Sequence, residues 1–396
     1  MSCVVIYADR ALTPLQEIRD AVVVVQGRKV TAIGSRAEVV LPAQMQVYSA
    51  RGMTIVPGFV DVHIHGAGGH DVMEGTTEAL EAVAAMAARH GTTSLLATTV
   101  TASEERICRS AEAIARYIRA QDDRLKAAPL AELTGIHFEG PFINPVRRGV
   151  HPPEWIAAPS VAALERYLRA AAGTARILTL APELPGALEL IKVARRAGLV
   201  VALGHTDATY AEACAAIENG ARHAVHVFNA MRPFAHRETG VLGAVLTTPS
   251  LSAELIADGV HVDAPAMQLL LRAKGVEHVL LVSDGTAATG MPDGQYRLGT
   301  LEIGATAGVC RNAEGKLAGS ALTLDRALRN TVALGVPLAD ALRMLTLNPA
   351  RLLGLEHSKG VLAPGADADL VLLNADLQVA GVMTRGVGLD LPRARD

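Results

Sequence analysis

The chain has 396 residues, of which half are hydrophobic and only 3% are aromatic, and its formal net charge is −3. A chain of this length usually forms more than one hydrophobic core, so we expect a large domain with a smaller companion. The weak net charge gives no reason to expect nucleic acid or an acidic membrane surface as a partner.

The cysteines are dispersed along the chain without the CxxC spacing of a thiolate metal site: Cys3, Cys108, Cys214 and Cys310. Free thiols are typical of a reducing compartment. The N-terminal segment has neither a basic leader nor an apolar stretch long enough for export, and no later run approaches a membrane span. We therefore expect a soluble protein of the cytoplasm that does not bind a membrane.

Short β-rich segments occupy both ends of the chain. Residues 1–54 contain "CVVIYA", "DAVVVVQGRKVTAIG" and "QVYSARG", and residues 358–396 contain "KGVLAPGADADLVLLN". Apolar, β-branched runs separated by turn residues favour strands. We predict that the two ends form one small β-sandwich domain and that residues 55–357 form a separate domain between them.

In that central part, apolar strands alternate with alanine-rich helices such as "TTEALEAVAAMAARHG" and "SVAALERYLRAAAG". The strand candidates are "IVPGFVDVHIHG", "TSLLATTV", "LTGIHFEG", "ARILTLAPE", "LVVALGHT", "HAVHVFNA", "LSAELIADGV" and "HVLLVSDG". Eight such units in about 230 residues predict an α/β protein with a (β/α)₈ TIM barrel. A doubly wound open sheet is the alternative, but the chain has neither a dinucleotide fingerprint nor a GxxxxGK[ST] phosphate loop.

The first barrel strand ends in two histidines, His63 and His65, followed at once by glycine. Residues i and i+2 of a strand face the same side, so the two imidazoles should point at one place. The glycine lets the backbone turn sharply there. For this pair alone, a metal site and two buried, hydrogen-bonded histidines remain equally open.

Polar side chains also end other barrel strands: Glu139 on the third, His205 on the fifth, His226 on the sixth and Asp284 on the eighth. The carboxyl ends of barrel strands meet at one mouth. An unpaired buried polar group costs about 1–3 kcal/mol, which makes independent retention of all these side chains an unfavourable explanation. The set therefore predicts a metal site.

Imidazole and carboxylate ligands suit a divalent ion, zinc in the first place, with iron, cobalt or manganese as alternatives. Such an ion lowers the pKa of bound water toward about 7 and polarises a carbonyl, so the pattern favours hydrolysis. Besides Glu139, Asp284 is the only carboxylate that we place at a strand end. We predict that Asp284 is the general base, with a role as a further ligand as the alternative.

Seven segments together resemble the N-acetylglucosamine-6-phosphate deacetylase family of the amidohydrolase superfamily: "PGFVDVHIHG", "GIHFEGPF", "ALGHTDA", "HVFNAM", "ADGVHVD", "LVSDGTAATGMPDGQYRLG" and "LAGS". They occur in the same order over nearly the whole chain. The "HFEGP" segment is specific, because many amidohydrolases instead use a carboxylated lysine on the fourth strand. The fourth strand here, "ARILTLAPE", has no lysine.

The resemblance implies ligands and a mechanism. Glu139, His205 and His226 would bind the principal metal, and Asp284 would be the catalytic acid and base. Family members that keep the HxH pair hold a second metal, so His63 and His65 imply one or two divalent ions per chain. A metal-bound hydroxide would be the nucleophile.

The resemblance also implies substrate contacts. His151 would polarise the substrate carbonyl. Asn229, Ala230 and Arg237 would bind a phosphate, and His261 would contact the sugar phosphate. The chain departs from the family pattern in "RETG" where "REPG" is usual, and in "SDG" where "SDA" or "TDA" is usual.

The implied reaction is removal of the acetyl group from N-acetylglucosamine 6-phosphate, by a homodimer. The alternatives are an amidohydrolase for another substrate, such as the galacto epimer or another N-acyl amine or cyclic amide, and a catalytically silent sugar-phosphate-binding protein. An intact Asp284 counts against the silent protein, because binding alone needs no base. We expect structural roles for His90, His137 and His223 and surface positions for His70, His236, His278 and His357.

Overall fold

A computed structural model describes residues 3–389 of the chain. Its strands, in chain order, are β1 Cys3–Leu12, β2 Glu17–Gln26, β3 Lys29–Ser35, β4 Gln46–Pro57, β5 Phe59–Ile64, β6 Gly66–Ala67, β7 His70–Asp71, β8 Thr92–Thr99, β9 Glu132–Glu139, β10 Ala175–Leu180, β11 Val200–Leu203, β12 Ala221–Ala224, β13 Ser252–Leu255, β14 Val279–Leu281, β15 Gly294–Leu298, β16 Leu301–Thr306, β17 Val309–Arg311, β18 Leu370–Leu373, β19 Val379–Thr384 and β20 Val387–Gly388.

Its α-helices are α1 Thr77–Arg89, α2 Glu104–Ala120, α3 Asp122–Ala127, α4 Val161–Ala171, α5 Ala187–Arg196, α6 Tyr210–Asn219, α7 Gly240–Thr247, α8 Ala264–Lys274, α9 Leu324–Ala333, α10 Leu338–Leu345 and α11 Leu347–Leu352. Short 3₁₀ helices cover Val72–Glu74, Pro145–Arg147, Pro153–Trp155 and Val276–His278. Among the described residues, no helix is both long and apolar enough to cross a membrane.

Strands β5 and β8 to β14 form one parallel sheet in which each strand pairs with the next. The chain after β14 returns to β5 and closes the curl. There Ile64 and Gly285 form a parallel bridge, and the N–H of His65 donates to the carbonyl of Gly285 at 2.8 Å. This is the predicted (β/α)₈ barrel, and the doubly wound open sheet is wrong.

The helices around the barrel begin at small polar caps and turn small apolar side chains inward. Thr76, Ser103 and Ser160 each accept a hydrogen bond from a first-turn N–H of α1, α2 or α4. Such a cap stabilises a helix by about 1 kcal/mol. The buried face of α1 is mainly alanine, valine and leucine. The scarcity of aromatic residues therefore reflects close packing of helices on strands.

The chain ends form the second domain, as predicted, with seven strands in the order β20-β19-β18-β4-β1-β2-β3. The two layers belong to one continuous sheet that folds back on itself, because Lys29 at the start of β3 bridges Asp367 just before β18. Side chains on both faces of β2 are buried. The boundaries at residues 54 and 358 remain a prediction, and β4 continues through the first of them to Pro57.

The segment "IVPGFVDVHIHG" is not one strand but parts of two. Strand β4 pairs with β18 of the small domain up to Pro57, whereas β5 begins at Phe59 in the barrel. Gly58 lies between them, against Thr93, where an added Cβ would stand 2.1 Å from the Thr93 hydroxyl. Only glycine fits this crossing from one domain to the other.

An antiparallel three-stranded sheet, β15 to β17, follows the last barrel strand and was not predicted. Its first turn is fixed to the barrel by the buried carboxylate of Asp71, which accepts a hydrogen bond from the N–H of Gly299 at 2.7 Å. This contact places Leu298 at the barrel mouth, where it lines the central cavity.

Candidate metal centre

Three predicted site residues end their strands in an unusual backbone conformation. The φ angles are +48° at His205, +28° at His226 and +48° at Asp284. Positive φ is uncommon for residues other than glycine and is found mainly where the surrounding structure enforces it, often at functional sites. The backbone strain at the strand ends thus marks the same positions that the sequence singled out.

The carboxylate of Glu139, at the end of β9, is buried among imidazole rings. Its Oε1 atom lies 2.9 Å from Nε2 of His226 and 3.2 Å from Nε2 of His205. The remaining Nε2 contacts of this carboxylate are His63 at 3.4 Å, His65 at 3.3 Å and His151 at 3.5 Å. The barrel thus brings together every predicted metal ligand around one acidic group.

Hydrogen bonds fix which ring nitrogen carries the proton in two of these histidines. Nδ1 of His65 lies 3.0 Å from the carbonyl oxygen of Thr98, and Nδ1 of His205 lies 3.0 Å from the carbonyl oxygen of Arg147. A carbonyl only accepts, so each Nδ1 donates. In the neutral rings Nε2 is then a bare lone pair aimed at the cluster, which is the form that binds a metal.

The remaining contacts also favour a cation. Nε2 of His63 is buried and has no hydrogen-bond partner in the described part of the chain. Nε2 of His226 lies only 3.1 Å from Nε2 of His205. Two lone pairs repel at that distance unless a proton or a metal ion lies between them. These residues therefore fit a divalent ion, because the Nε2 atoms of all four histidines lie within 3.4 Å of the Glu139 carboxylate.

His151 differs from the other histidines of the cluster. The backbone N–H of Thr101 donates to its Nδ1 at 3.3 Å, so the proton of the neutral ring lies on Nε2. A hydrogen bond with the Thr101 hydroxyl, at 2.7 Å, fixes the ring further. His151 thus presents a donor to the barrel mouth, which suits a substrate oxygen better than a metal ion.

The charges of the cluster are strongly coupled. Burial would raise the pKa of Glu139, but the charge of His63 and hydrogen bonds from other rings hold it well below its usual range. Burial works against protonation of His65, yet hydrogen bonds with Asp284 and Glu139 raise its pKa to about 9. Burial, with repulsion from His151, lowers the pKa of His205 to about 4. Carboxylates that stay ionised when buried supply the negative charge that a metal ion neutralises.

Asp284 lies at the edge of the cluster, with Oδ1 3.2 Å from Nε2 of His65 and 3.6 Å from Nε2 of His63. Burial favours its neutral form, but the hydrogen bond with His65 and the charge of His63 outweigh burial and lower its pKa. Asp284 is therefore an ionised carboxylate with one oxygen close to Nε2 of His63 and of His65.

A cavity opens above the cluster. One wall carries the cluster residues, including Glu139 and Asp284. The cavity is also lined by the polar residues Asn229 and His261, by Ala230, and by an apolar set, which consists of Val100, Val150, Leu298 and Leu317. A few placed polar groups beside apolar residues are typical of a small-molecule site.

The structure brings together some, but not all, of the predicted phosphate-binding residues. His261 is held by Asp258, whose carboxylate accepts from Nδ1 of His261 at 2.7 Å, so Nε2 is left for a ligand. Asn229 and Ala230 line the same cavity as His261. Arg237 does not line it and is exposed on the loop before α7.

Glu254, in the middle of β13, is a third buried carboxylate beside the cluster, and the sequence analysis missed it. It contacts both His63 and His223. The signal was one acidic residue inside the apolar run "LSAELIA". His137 is the structural residue that was expected, because Val62 and Thr179 occupy its two ring nitrogens. The trio of His63, His137 and Glu254 is therefore no second metal site.

Comparisons with known proteins agree with this geometry. The model described as the amidohydrolase family matches residues 54–388. The N-acetylgalactosamine-6-phosphate deacetylase of Escherichia coli O157:H7 is 39% identical over 87% of this chain and 90% of its own length. The N-acetylglucosamine-6-phosphate deacetylase of Bacillus subtilis (strain 168) is 35% identical, with 87% of both chains covered.

Solved structures are similar over almost the whole chain. A mutant of N-acetyl-D-glucosamine-6-phosphate deacetylase from Mycobacterium smegmatis, in complex with N-acetyl-D-glucosamine-6-phosphate, has 39% sequence identity and a TM-score of 0.91. The match covers 98% of this chain and 99% of the chain in that structure. The corresponding enzyme from Pasteurella multocida has 31% identity and a TM-score of 0.90.

Proposed function

Because the chain belongs to the amidohydrolase family, we propose that it hydrolyses N-acetylglucosamine 6-phosphate to glucosamine 6-phosphate and acetate. The observation that carries this proposal is the convergence of the imidazoles of His205 and His226 on Glu139 at 3.2 Å and 2.9 Å, beside a cavity that all three side chains line. The names of the relatives supply the substrate class.

Glu139, His205 and His226 would hold one divalent ion, and His63 and His65 a second, with zinc preferred over iron, cobalt or manganese. Two observations support the second position: His63 and His65 also face Glu139, and Nε2 of His63 has no partner among the described residues. When bound, a divalent ion supplies Lewis-acid polarisation of the amide carbonyl and a lowered pKa for the attacking water.

His151 would act as a hydrogen-bond donor to the substrate, and Asp284 would accept and return a proton. The N–H on Nε2 of His151 donates to the acetamido oxygen and stabilises the negative charge that develops there. Asp284 accepts a proton from the water and delivers it to the leaving nitrogen. Its low pKa keeps the carboxylate ready to accept a proton at neutral pH.

The phosphate would be bound at the far side of the cavity by Asn229, Ala230 and His261, with Arg237 adding a charge-assisted hydrogen bond. We further propose a homodimer located in the cytoplasm, as the family resemblance and the free cysteines led us to expect. Light scattering tests the dimer, and microscopy of a tagged protein tests the compartment.

The galacto epimer is the second candidate substrate, because one of the similar relatives is named for it. The test is a comparison of kcat/KM for acetate release from N-acetylglucosamine 6-phosphate, N-acetylgalactosamine 6-phosphate and unphosphorylated N-acetylglucosamine. We expect the gluco phosphate to be the best substrate. A higher value for the galacto epimer would reassign the substrate. Acetate release from none of the three would leave an amidohydrolase for another N-acyl amine or cyclic amide, and a sugar-phosphate-binding protein, as the candidates.

A further inference from the structure

Glu254 joins two strands that carry predicted metal ligands. Its Oε2 atom accepts from Nδ1 of His63 at 2.8 Å and from the backbone N–H of His226 at 3.0 Å. Its Oε1 atom accepts from Nε2 of His223 at 2.9 Å. Nδ1 of His223 lies 2.8 Å from the hydroxyl of Ser252, at the start of the same strand. This series of contacts thus ends at two barrel strands, at His63 on β5 and at Ser252 on β13.

The carboxylate of Glu254 is completely buried, and no lysine or arginine pairs with it in the described range 3–389. A buried charge is tolerated when hydrogen bonds and an opposite charge compensate it. Glu254 has the hydrogen bonds, all from imidazole or backbone donors. Compensation can come only from the imidazoles that it contacts, and Nε2 on the far side of the His63 ring has no hydrogen-bond partner among the described residues.

We infer that Glu254 is a positioning residue for the metal ion that His63 would bind, an inference that rests on the proposed metal dependence. By accepting from Nδ1, Glu254 keeps that proton in place and leaves Nε2 of His63 bare toward Glu139. The same carboxylate oxygen holds the backbone of His226, a ligand on another strand. One side chain therefore sets the spacing between a residue of each proposed ion site.

His223 has a supporting role in this arrangement. Its bond to Oε1 orients the Glu254 carboxylate so that Oε2 faces His63. The expectation that His223 is merely structural is thus incomplete, because it lies one hydrogen bond from a carboxylate that contacts a ligand. Partners of this kind typically change metal affinity by about 10–100-fold when they are removed.

The test is Glu254→Gln, which keeps the size of the side chain but removes its charge. Zinc is titrated into the metal-free full-length protein, and bound Zn²⁺ per chain is measured by equilibrium dialysis against fixed free Zn²⁺. The matched control is Asp325→Asn, which alters another buried carboxylate that contacts a histidine, His90, away from the cluster. Thermal unfolding of the metal-free proteins shows whether each variant folds.

We expect Glu254→Gln to lower the affinity for the more weakly held Zn²⁺ by about 10–100-fold. The Asp325→Asn variant should bind Zn²⁺ with the same affinity as the unchanged protein. If Glu254→Gln does not fold, Glu254→Asp, which withdraws the charge by one methylene, takes its place with the same expectation. Unchanged Zn²⁺ binding in the folded variant would overturn the inference. Acetate release by the unchanged protein tests the proposed function separately, because the titration needs no turnover.

Discussion

The backbone N–H of Thr101 donates to Nδ1 of His151 at 3.3 Å, and this contact distinguishes His151 from the histidines that we propose as metal ligands. His65 and His205 donate from Nδ1 to carbonyl oxygens and leave Nε2 bare. The tautomer of His151 is the reverse of theirs, although its Nε2 points into the same cluster. The hydrogen bonds at Nδ1 therefore suit His65 and His205 to bind a metal ion through Nε2, and they suit His151 to donate a hydrogen bond from Nε2.

His151→Asn should lower kcat for acetate release by about 10²–10³-fold, because one donor to the developing oxyanion is lost. Its metal content should stay that of the unchanged protein. His205→Ala is the contrasting variant, and we expect it to lose the tightly held metal. Elemental analysis of both proteins checks this, and a His151 variant that also loses metal would make this residue a ligand.

Asp284→Asn should reduce kcat by about 10²–10⁴-fold with little change in substrate affinity. The amide keeps the shape of the carboxylate but cannot accept the proton. Asparagine also tolerates positive φ better than most residues, so the φ of +48° at this position should persist. Steady-state kinetics together with direct substrate binding measures both parts. Near-normal turnover would show that Asp284 is not the base.

His63→Asn should lower the bound metal from two ions per chain toward one without unfolding the protein. Asparagine is too short to bring a donor to the position of Nε2. Its amide also replaces the ring that bonds to Glu254 at 2.8 Å, so some loss of thermal stability is expected. Metal analysis after gel filtration checks the count. An unchanged count would remove the second ion from the mechanism.

The sequence predicted the barrel and its strand-end ligands because their signals are local. Glu139, His205 and Asp284 each interrupt an apolar run at its carboxyl end. Glu254 lies inside such a run, so only the three-dimensional structure shows that it faces His63. The sequence also did not show the break at Gly58, because the residues on either side of it are equally apolar and only the pairing of β4 with β18 and of β5 with β8 reveals the crossing.

The sheet of β15 to β17 was missed for a different reason. Its strands are short and mostly half-exposed, so they lack the apolar runs by which the barrel strands were recognised. Its attachment to Asp71 joins residues more than 200 positions apart. No local pattern predicts a contact of that separation. The sequence therefore predicted most of the polar residues that line the cavity but not Leu298, which also lines it.

Lys274 supplies a pH-dependent test of stability outside the site. This lysine is buried at the end of α8, and burial lowers its pKa from 10.5 to about 8. Between those values the unfolded chain is protonated and the folded chain is not, so stability should rise with pH across that window. At pH 7 both states are charged and the full cost of burial is present.

Lys274→Met should therefore stabilise the protein at pH 7 by about 1 kcal/mol and remove the rise in stability between pH 8 and 10.5. Urea unfolding at several pH values measures both effects. The control is Lys192→Met on α5, where the lysine is half-exposed. A rise with pH that is equally steep in Lys274→Met and in the unchanged protein would assign it to other groups.

Arg237→Ala should reduce kcat/KM for the phosphorylated sugar by roughly 10–100-fold, because a charge-assisted hydrogen bond contributes about 1.5–3 kcal/mol. The unphosphorylated sugar should be affected much less. Arg196→Ala, on α5, removes an exposed arginine elsewhere and serves as the control. Equal losses for both sugars would place Arg237 outside the phosphate site.

Acetate release from N-acetylglucosamine 6-phosphate, followed through removal and return of the metal, is the most direct test of metal-dependent deacetylation. The unchanged protein should release acetate and the free amine in equal amounts. Exhaustive chelation should abolish turnover without unfolding the protein, and one divalent ion, zinc first, should restore it. Full turnover in a sample shown to contain no metal would contradict the mechanism.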